Sequence, residues 1–107
     1  MSRYHDVAAL LIDIEAELRR LGHWQSEPPP DEALRSEQPF AVDTLELYQW
    51  LQFIFIPRIS FLVERREWLP GECAIAPMAE EYYRGRRLPV AGLLQALEAV
   101  DELLSQD

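Results

Sequence analysis

The stretch Asp43-Thr-Leu-Glu-Leu-Tyr-Gln-Trp-Leu-Gln-Phe-Ile-Phe-Ile-Pro-Arg-Ile-Ser-Phe-Leu-Val63 is apolar on nearly every side when wound as a helix. Such a helix has to be buried. Polar residues form only a thin strip, Glu46, Gln49 and Gln52, then Ser60, Glu64 and Glu67, which is expected to face water. Val42, Asp43 and Glu46 mark the expected start: Asp43 can cap the first amides, Glu46 can reach back to the Asp43 amide, and Val42 can pack on Leu47. Pro57 interrupts the pattern. It has no N–H to give the Phe53 carbonyl, its ring crowds that carbonyl at a cost of ~3 kcal/mol in a helix interior, and it pushes Ile56 away from helical dihedrals. A kink between Phe53 and Pro57, or two helices meeting there, is the expectation. Such a kink either lets a long helix wrap a small core or leaves a notch at the freed carbonyl.

Upstream, Tyr4, Val7, Leu11, Ile14, Leu18 and Leu21 recur at steps of three and four, which predicts an amphipathic helix over 4–21. Ser2 suits its N-cap, Asp6 its positive end, Arg19 and Arg20 its negative end, and Gly22 its left-handed exit. From His23 to Phe40 runs a connector with a stiff Pro28-Pro29-Pro30 arm and one helical turn at Asp31–Arg35, and Ser36 to Phe40 reads as extended. Trp24, Leu34 and Phe40 are its expected anchors. Downstream, Trp68-Leu-Pro-Gly signals a turn and Cys73-Ala-Ile-Ala a short extended piece. Pro77 then opens a short helix with Glu80 and Glu81 in its first turn, ended by Gly85. Leu88-Pro89 launches a last helix over 90–104 along Val90, Leu93, Leu94, Leu97, Val100 and Leu104. Three long helices (4–21, 44–66 and 90–104) plus one or two short ones predict an all-α compact bundle, its central helix kinked at Pro57.

At 107 residues the chain is expected to form one domain spanning 1–107, with a core that needs no staples. A single cysteine, Cys73, excludes a disulfide framework and fits a reducing compartment. The charged start Met-Ser-Arg-Tyr-His-Asp does not resemble a signal peptide, and the longest apolar run is too short to span a bilayer. A cytoplasmic protein without membrane contact is the reading. The net charge of −9 disfavours non-specific binding to nucleic acid or anionic membranes.

Several strings resemble a known family: Gln38-Pro-Phe, Asp43-Thr-Leu, Trp50-Leu-Gln-Phe-Ile-Phe-Ile-Pro-Arg58, Leu69-Pro and Ile75-Ala-Pro-Met-Ala-Glu-Glu81. Together they are similar to the YqcC-like family, small bacterial proteins grouped as a domain of unknown function. The resemblance covers essentially the whole chain and implies a compact helical bundle. It also implies a neighbourhood link to a tRNA pseudouridine synthase of the TruC type. It brings no catalytic residues to carry over.

Residue chemistry supplies the candidate sites. His5, His23 and Cys73 lack metal-ligand spacing, so no metal and no cofactor is expected, and His23 reads as a surface or capping side chain. Cys73 with His23 lacks a third orienting group and a glycine-rich oxyanion turn, so no catalytic constellation is visible. Glu80 and Glu81 point about 100° apart on a helix and do not address one substrate atom together. Arg58, flanked by apolar neighbours, needs a partner, and an ion pair with Glu80 or Glu81 is expected to tie the kink to the following helix. Tyr82, Arg84, Arg86 and Arg87 form the one stretch with a nucleic-acid character, arginines for phosphates and tyrosines for stacking. Phosphate binding needs a larger positive footprint than three arginines. The reading favoured by the sequence is therefore a non-catalytic interaction module with an aromatic surface at Trp50, Phe53, Pro57, Pro77 and Met78. A protein partner is expected, and by resemblance a tRNA-modifying enzyme is one candidate. The alternatives are RNA binding through the Arg84–Arg87 loop and a small-molecule pocket or enzyme lined by Gln49 and Gln52.

Overall fold

The computed structural model describes residues 3–69, 71 and 74–105, and every regular element among them is helical. Helix α1 spans Arg3–Arg20, α2 Asp31–Leu34, α3 Leu47–Trp50, α4 Ile56–Arg65, α5 Ile75–Tyr83 and α6 Ala91–Leu104. A π-helical turn, Leu51–Phe55, joins α3 to α4 without a break. α6 packs on α1 and on α5, and α1 also packs on α4. The molecule measures 36 × 30 × 24 Å.

The expected periodicities hold along the long helices. α1 buries Val7, Leu11, Ile14 and Leu18, and α6 buries Leu93, Ala96, Leu97, Val100 and Leu104. Gly22, at φ 77°, ends α1 as a Schellman turn: His23 N–H donates to the Leu18 carbonyl (2.9 Å) and Gly22 N–H to that of Arg19 (3.1 Å). The Ser2 cap and Cys73 itself lie outside the described residues, but Ile75 and Ala76, expected to be extended, are helical.

The central helix differs from expectation in instructive ways. It starts at Leu47, not at Thr44, because Glu46 is the N-cap: its side chain accepts from the Gln49 amide while the Gln49 side-chain oxygen accepts from Glu46 N–H (2.8 Å). Asp43 instead accepts a hydrogen bond from the Ser36 hydroxyl, and Val42 is exposed. Ile56 keeps right-handed helical dihedrals (φ −59°, ψ −47°), so Pro57 does not push it out of the helix. The adjustment is made one turn earlier, where Ile56 N–H reaches five residues back to the Leu51 carbonyl, and Pro57 falls in the first turn of α4. That wide turn also serves the core. Leu47, Leu51, Phe55 and Ile59 are buried at strict four-residue spacing. In a regular α-helix each such step drifts about 40° around the axis, and a wider turn holds the four on one side. The helix is thus buried along a stripe and is not enclosed all round, since Pro57, Arg58 and Phe61 are exposed.

α5 begins at Ile75, two residues before the expected Pro77, so Glu80 and Glu81 are not in its first turn. Its free amides are met from another helix. Asp101 of α6 accepts from Ile75 N–H (3.0 Å) and Ala76 N–H (2.8 Å), one carboxylate oxygen each. Between Ser36 and Phe40 the chain does not stay extended: Pro39–Ala41 makes a tight turn in which Phe40 (φ 57°) and Ala41 (φ 50°) are both left-handed.

Candidate functional site

Within the polar strip of the central helix, Glu46, Glu64 and Glu67 are exposed as expected, but Gln49 and Gln52 face the connector. Gln52, buried, accepts from Gln25 N–H (2.8 Å) and donates to the Gln25 carbonyl (2.7 Å), pairing both backbone groups of one connector residue. Gln49 donates to the Gln25 side-chain oxygen (3.2 Å). Trp24, beside it, packs on the core edge under the Arg19 guanidinium (4.8 Å). These glutamines line none of the concavities described below; they clasp the chain.

Next to this clasp lies an aromatic cluster drawn from three segments. The His23 ring stacks on Tyr48 (centroids 4.3 Å apart) and its Nδ1 is 2.9 Å from the Tyr83 hydroxyl. Tyr82 meets Tyr83 edge-on at 4.9 Å, and its hydroxyl donates to the Glu46 carboxylate. The Arg86 guanidinium covers the Tyr82 ring at 4.3 Å while its Nε donates to the Tyr82 carbonyl (3.0 Å). Burial, aided by the positive Arg86, lowers the His23 pKa and favours the neutral ring. Burial and then the nearby Tyr48 push the Tyr83 phenol up to about 12. Burial and the Glu46 hydrogen bond push the Tyr82 phenol further up. All three changes favour uncharged rings, so the cluster is a packed, neutral platform. The His23 side chain is half-buried within it, not at the surface or capping a helix.

The residues singled out from the sequence are distributed over two concavities divided by Phe40. On one side, Met78 joins Phe40, Leu45, Leu47 and Tyr82 around a cavity of about 220 Å³, with Glu46 and Glu81 on it. On the other, Trp50 and Phe53 line a cavity of about 540 Å³ together with Arg58. Trp50 meets Phe40 edge-on (4.9 Å) and stacks on Phe55 (5.4 Å). Pro57 and Pro77 are exposed and line neither. The expected single groove is thus two.

The expected pair of Arg58 with Glu80 or Glu81 does not form. Glu81 pairs with Arg84 one turn along α5 (3.1 Å), whereas Arg58 is solvent-exposed in the second cavity. Among the four residues of the RNA alternative, Tyr82, Arg84 and Arg86 are engaged within the protein, and Arg87 is exposed. Sequence reasoning missed Gln25 and Asp101. Neither stands out in periodicity, because Asp101 acts on a backbone segment remote in sequence and Gln25 is held through its own backbone by a remote side chain. Among the described residues no group of three or more His, Cys, Asp or Glu is placed to hold a metal ion, and no helix is long and apolar enough to cross a membrane.

Comparison with known proteins adds a context to this geometry. A family model described as "tRNA pseudouridine synthase C" matches residues 6–103. Protein YqcC of Escherichia coli is 36% identical over 107 residues, covering 100% of this chain and 98% of that protein. Its solution NMR structure superposes with a TM-score of 0.86, covering 100% of this chain and 92% of that one. A protein of Pectobacterium carotovorum named tRNA pseudouridine synthase C is 37% identical over 87 residues, which are 81% of this chain but 23% of that protein.

Proposed function

The chain belongs to the YqcC-like family, and on that premise we propose that it is a non-catalytic interaction domain that works with a tRNA pseudouridine synthase of the C type. The observation that carries the proposal is the Pectobacterium protein, in which a segment like this chain makes up under a quarter of a longer polypeptide bearing the synthase name. Two units covalently joined in one organism act at very high effective concentration, and a separate chain can keep the same association through a non-covalent surface. The distribution of polar groups suits such a role. His23, Tyr82, Tyr83 and Glu46 are all committed to one another, so these groups serve packing before chemistry. The Met78 cavity offers an apolar, adaptable contact between two carboxylates, and the net charge of −9 steers the molecule toward a basic surface such as a tRNA-binding enzyme presents.

The test is direct mixing of the purified chain with the purified C-type synthase of the same genome, read by sedimentation velocity and calorimetry. A stoichiometric complex with a dissociation constant in the micromolar range or tighter is the expected result, together with no pseudouridine formed on tRNA by the chain alone. Absence of any complex at low salt would remove the proposal, as would pseudouridine formation by the isolated chain.

A further inference from the structure

The larger cavity beside Phe40 has a charge character unlike its surroundings. Each of the four other concavities described carries at least one carboxylate: Glu46 and Glu81, Glu15 and Glu64, Asp13 and Glu17, or Glu80. This one, of about 540 Å³, has none, and its one charged lining group is Arg58. Among the described residues Arg58 makes no ion pair, whereas Arg19, Arg20 and Arg84 do. In a chain of net charge −9 with nineteen carboxylates, a guanidinium left without one beside a concavity is a fixed positive point with a vacant fork of donors. The Asp43 carboxylate, which accepts a hydrogen bond from the lining Ser36 hydroxyl, is itself not part of the lining.

The walls combine aromatic and aliphatic side chains with polar surface from Ser36, Gln38 and Arg58. Trp50, Phe53 and Ile54 come from one side of the central helix, and Phe40 comes from the turn opposite. Trp50 is fixed between Phe40 and Phe55. Phe40 and Ala41, both lining the cavity, hold left-handed dihedrals that L-residues rarely take, so the turn presents its ring at a local conformational cost. Strain of this kind collects where a surface is shaped for contact. Two of the strings that stood out in the sequence, Gln38-Pro-Phe40 and Trp50 to Arg58, supply most of this lining.

We propose that this cavity binds a peptide segment of a partner protein that places an acidic side chain on Arg58 and an adjacent large apolar side chain between Trp50, Phe53 and Phe40. A carboxylate matches the planar guanidinium in two parallel hydrogen bonds, and an aromatic or aliphatic neighbour fills the apolar walls. The Gln38 side chain, exposed at the rim, offers a further amide to the peptide backbone. The inference lies beyond the synthase partnership and does not depend on which protein carries the segment, since the Met78 cavity is on the other side of Phe40.

The experiment pans a randomised heptapeptide display library on the immobilised chain, in parallel with Arg58→Glu, an exposed position where thermal unfolding checks that the fold is kept. Selected peptides are then synthesised and titrated. Wild type should enrich Asp or Glu beside Trp, Phe or Leu. Arg58→Glu should weaken the selected peptide about tenfold or more, the loss of one charge-assisted pair. Arg58→Lys should retain part of the binding. In NMR the Trp50 indole N–H should shift on titration with wild type. Peptides without an acidic residue, no enrichment at all, or binding indifferent to Arg58→Glu would each overturn the proposal. So would tight Arg58-dependent binding of 3-phenylpropionate with no peptide enriched, which would make the cavity a small-molecule site.

Discussion

Gln52 pairs both backbone groups of Gln25, so truncating it leaves a half-buried donor and acceptor without partners. Gln52→Ala is expected to lower stability by about 2 kcal/mol in urea unfolding, more than the loss of an exposed glutamine. His23 sets a pH dependence. Its folded pKa lies below the ordinary 6.5, so from the ordinary value downward the unfolded chain binds more protons than the folded one. Its contribution is therefore complete above about 6.5 and is lost as pH falls toward the folded value. Unfolding midpoints of wild type should decline across that window, and His23→Phe, which keeps a ring on Tyr48, should flatten the decline. The sequence showed which faces these residues occupy but not what they meet. Gln52 read as wet because a polar residue beside an apolar stripe is ordinarily solvated, and a side chain clasping a remote backbone leaves no periodic trace. Arg58 was read as needing a carboxylate for the same reason: its sequence neighbours are apolar, yet its position on the helix points to the surface.

At the scale of elements the sequence was legible wherever burial repeats. The spans 4–21 and 90–104 match α1 and α6 within a residue at each end, because their stripes and the Gly22 exit are local signals. Starts that depend on distant groups were misplaced. α5 begins at Ile75 because the Asp101 carboxylate reaches its first amides from α6, and no residue near Ile75 announces that. Asp101→Ala should accordingly cost about 1–2 kcal/mol in a denaturant titration, the magnitude of a lost cap, although position 101 is inside another helix. Gly22→Ala tests a local signal instead. Nothing crowds the site, so the left-handed strain alone should cost about 1 kcal/mol in the same titration.

On the whole molecule, charge acts at a distance. With nineteen acidic residues against ten basic ones, the proposed association with a basic enzyme should be fast at low salt and slow as ionic strength rises. Changing Arg84, Arg86 and Arg87 together to glutamine makes the chain more negative, so capture of the synthase should persist or strengthen slightly in stopped-flow association. Salt-sensitive binding to tRNA that vanishes with those three arginines would point to RNA contact instead. The wide turn at Leu51–Phe55 has a consequence for how the chain tolerates changes of length. It holds one residue more than a regular helix would use, so removing one of the five lets the turn close to an ordinary α-helical one while the helix on either side keeps its facing. Leu47 and Ile59 would then be about 20° apart around a regular helix and still share a side, whereas an inserted residue would turn Leu47 about 100° further away from Ile59. Deletion of the half-buried Ile54 should therefore leave soluble expression in a length scan, whereas insertion of one residue here should abolish it. The same insertion in the Pro28–Pro30 arm, which belongs to no helix, should pass unnoticed.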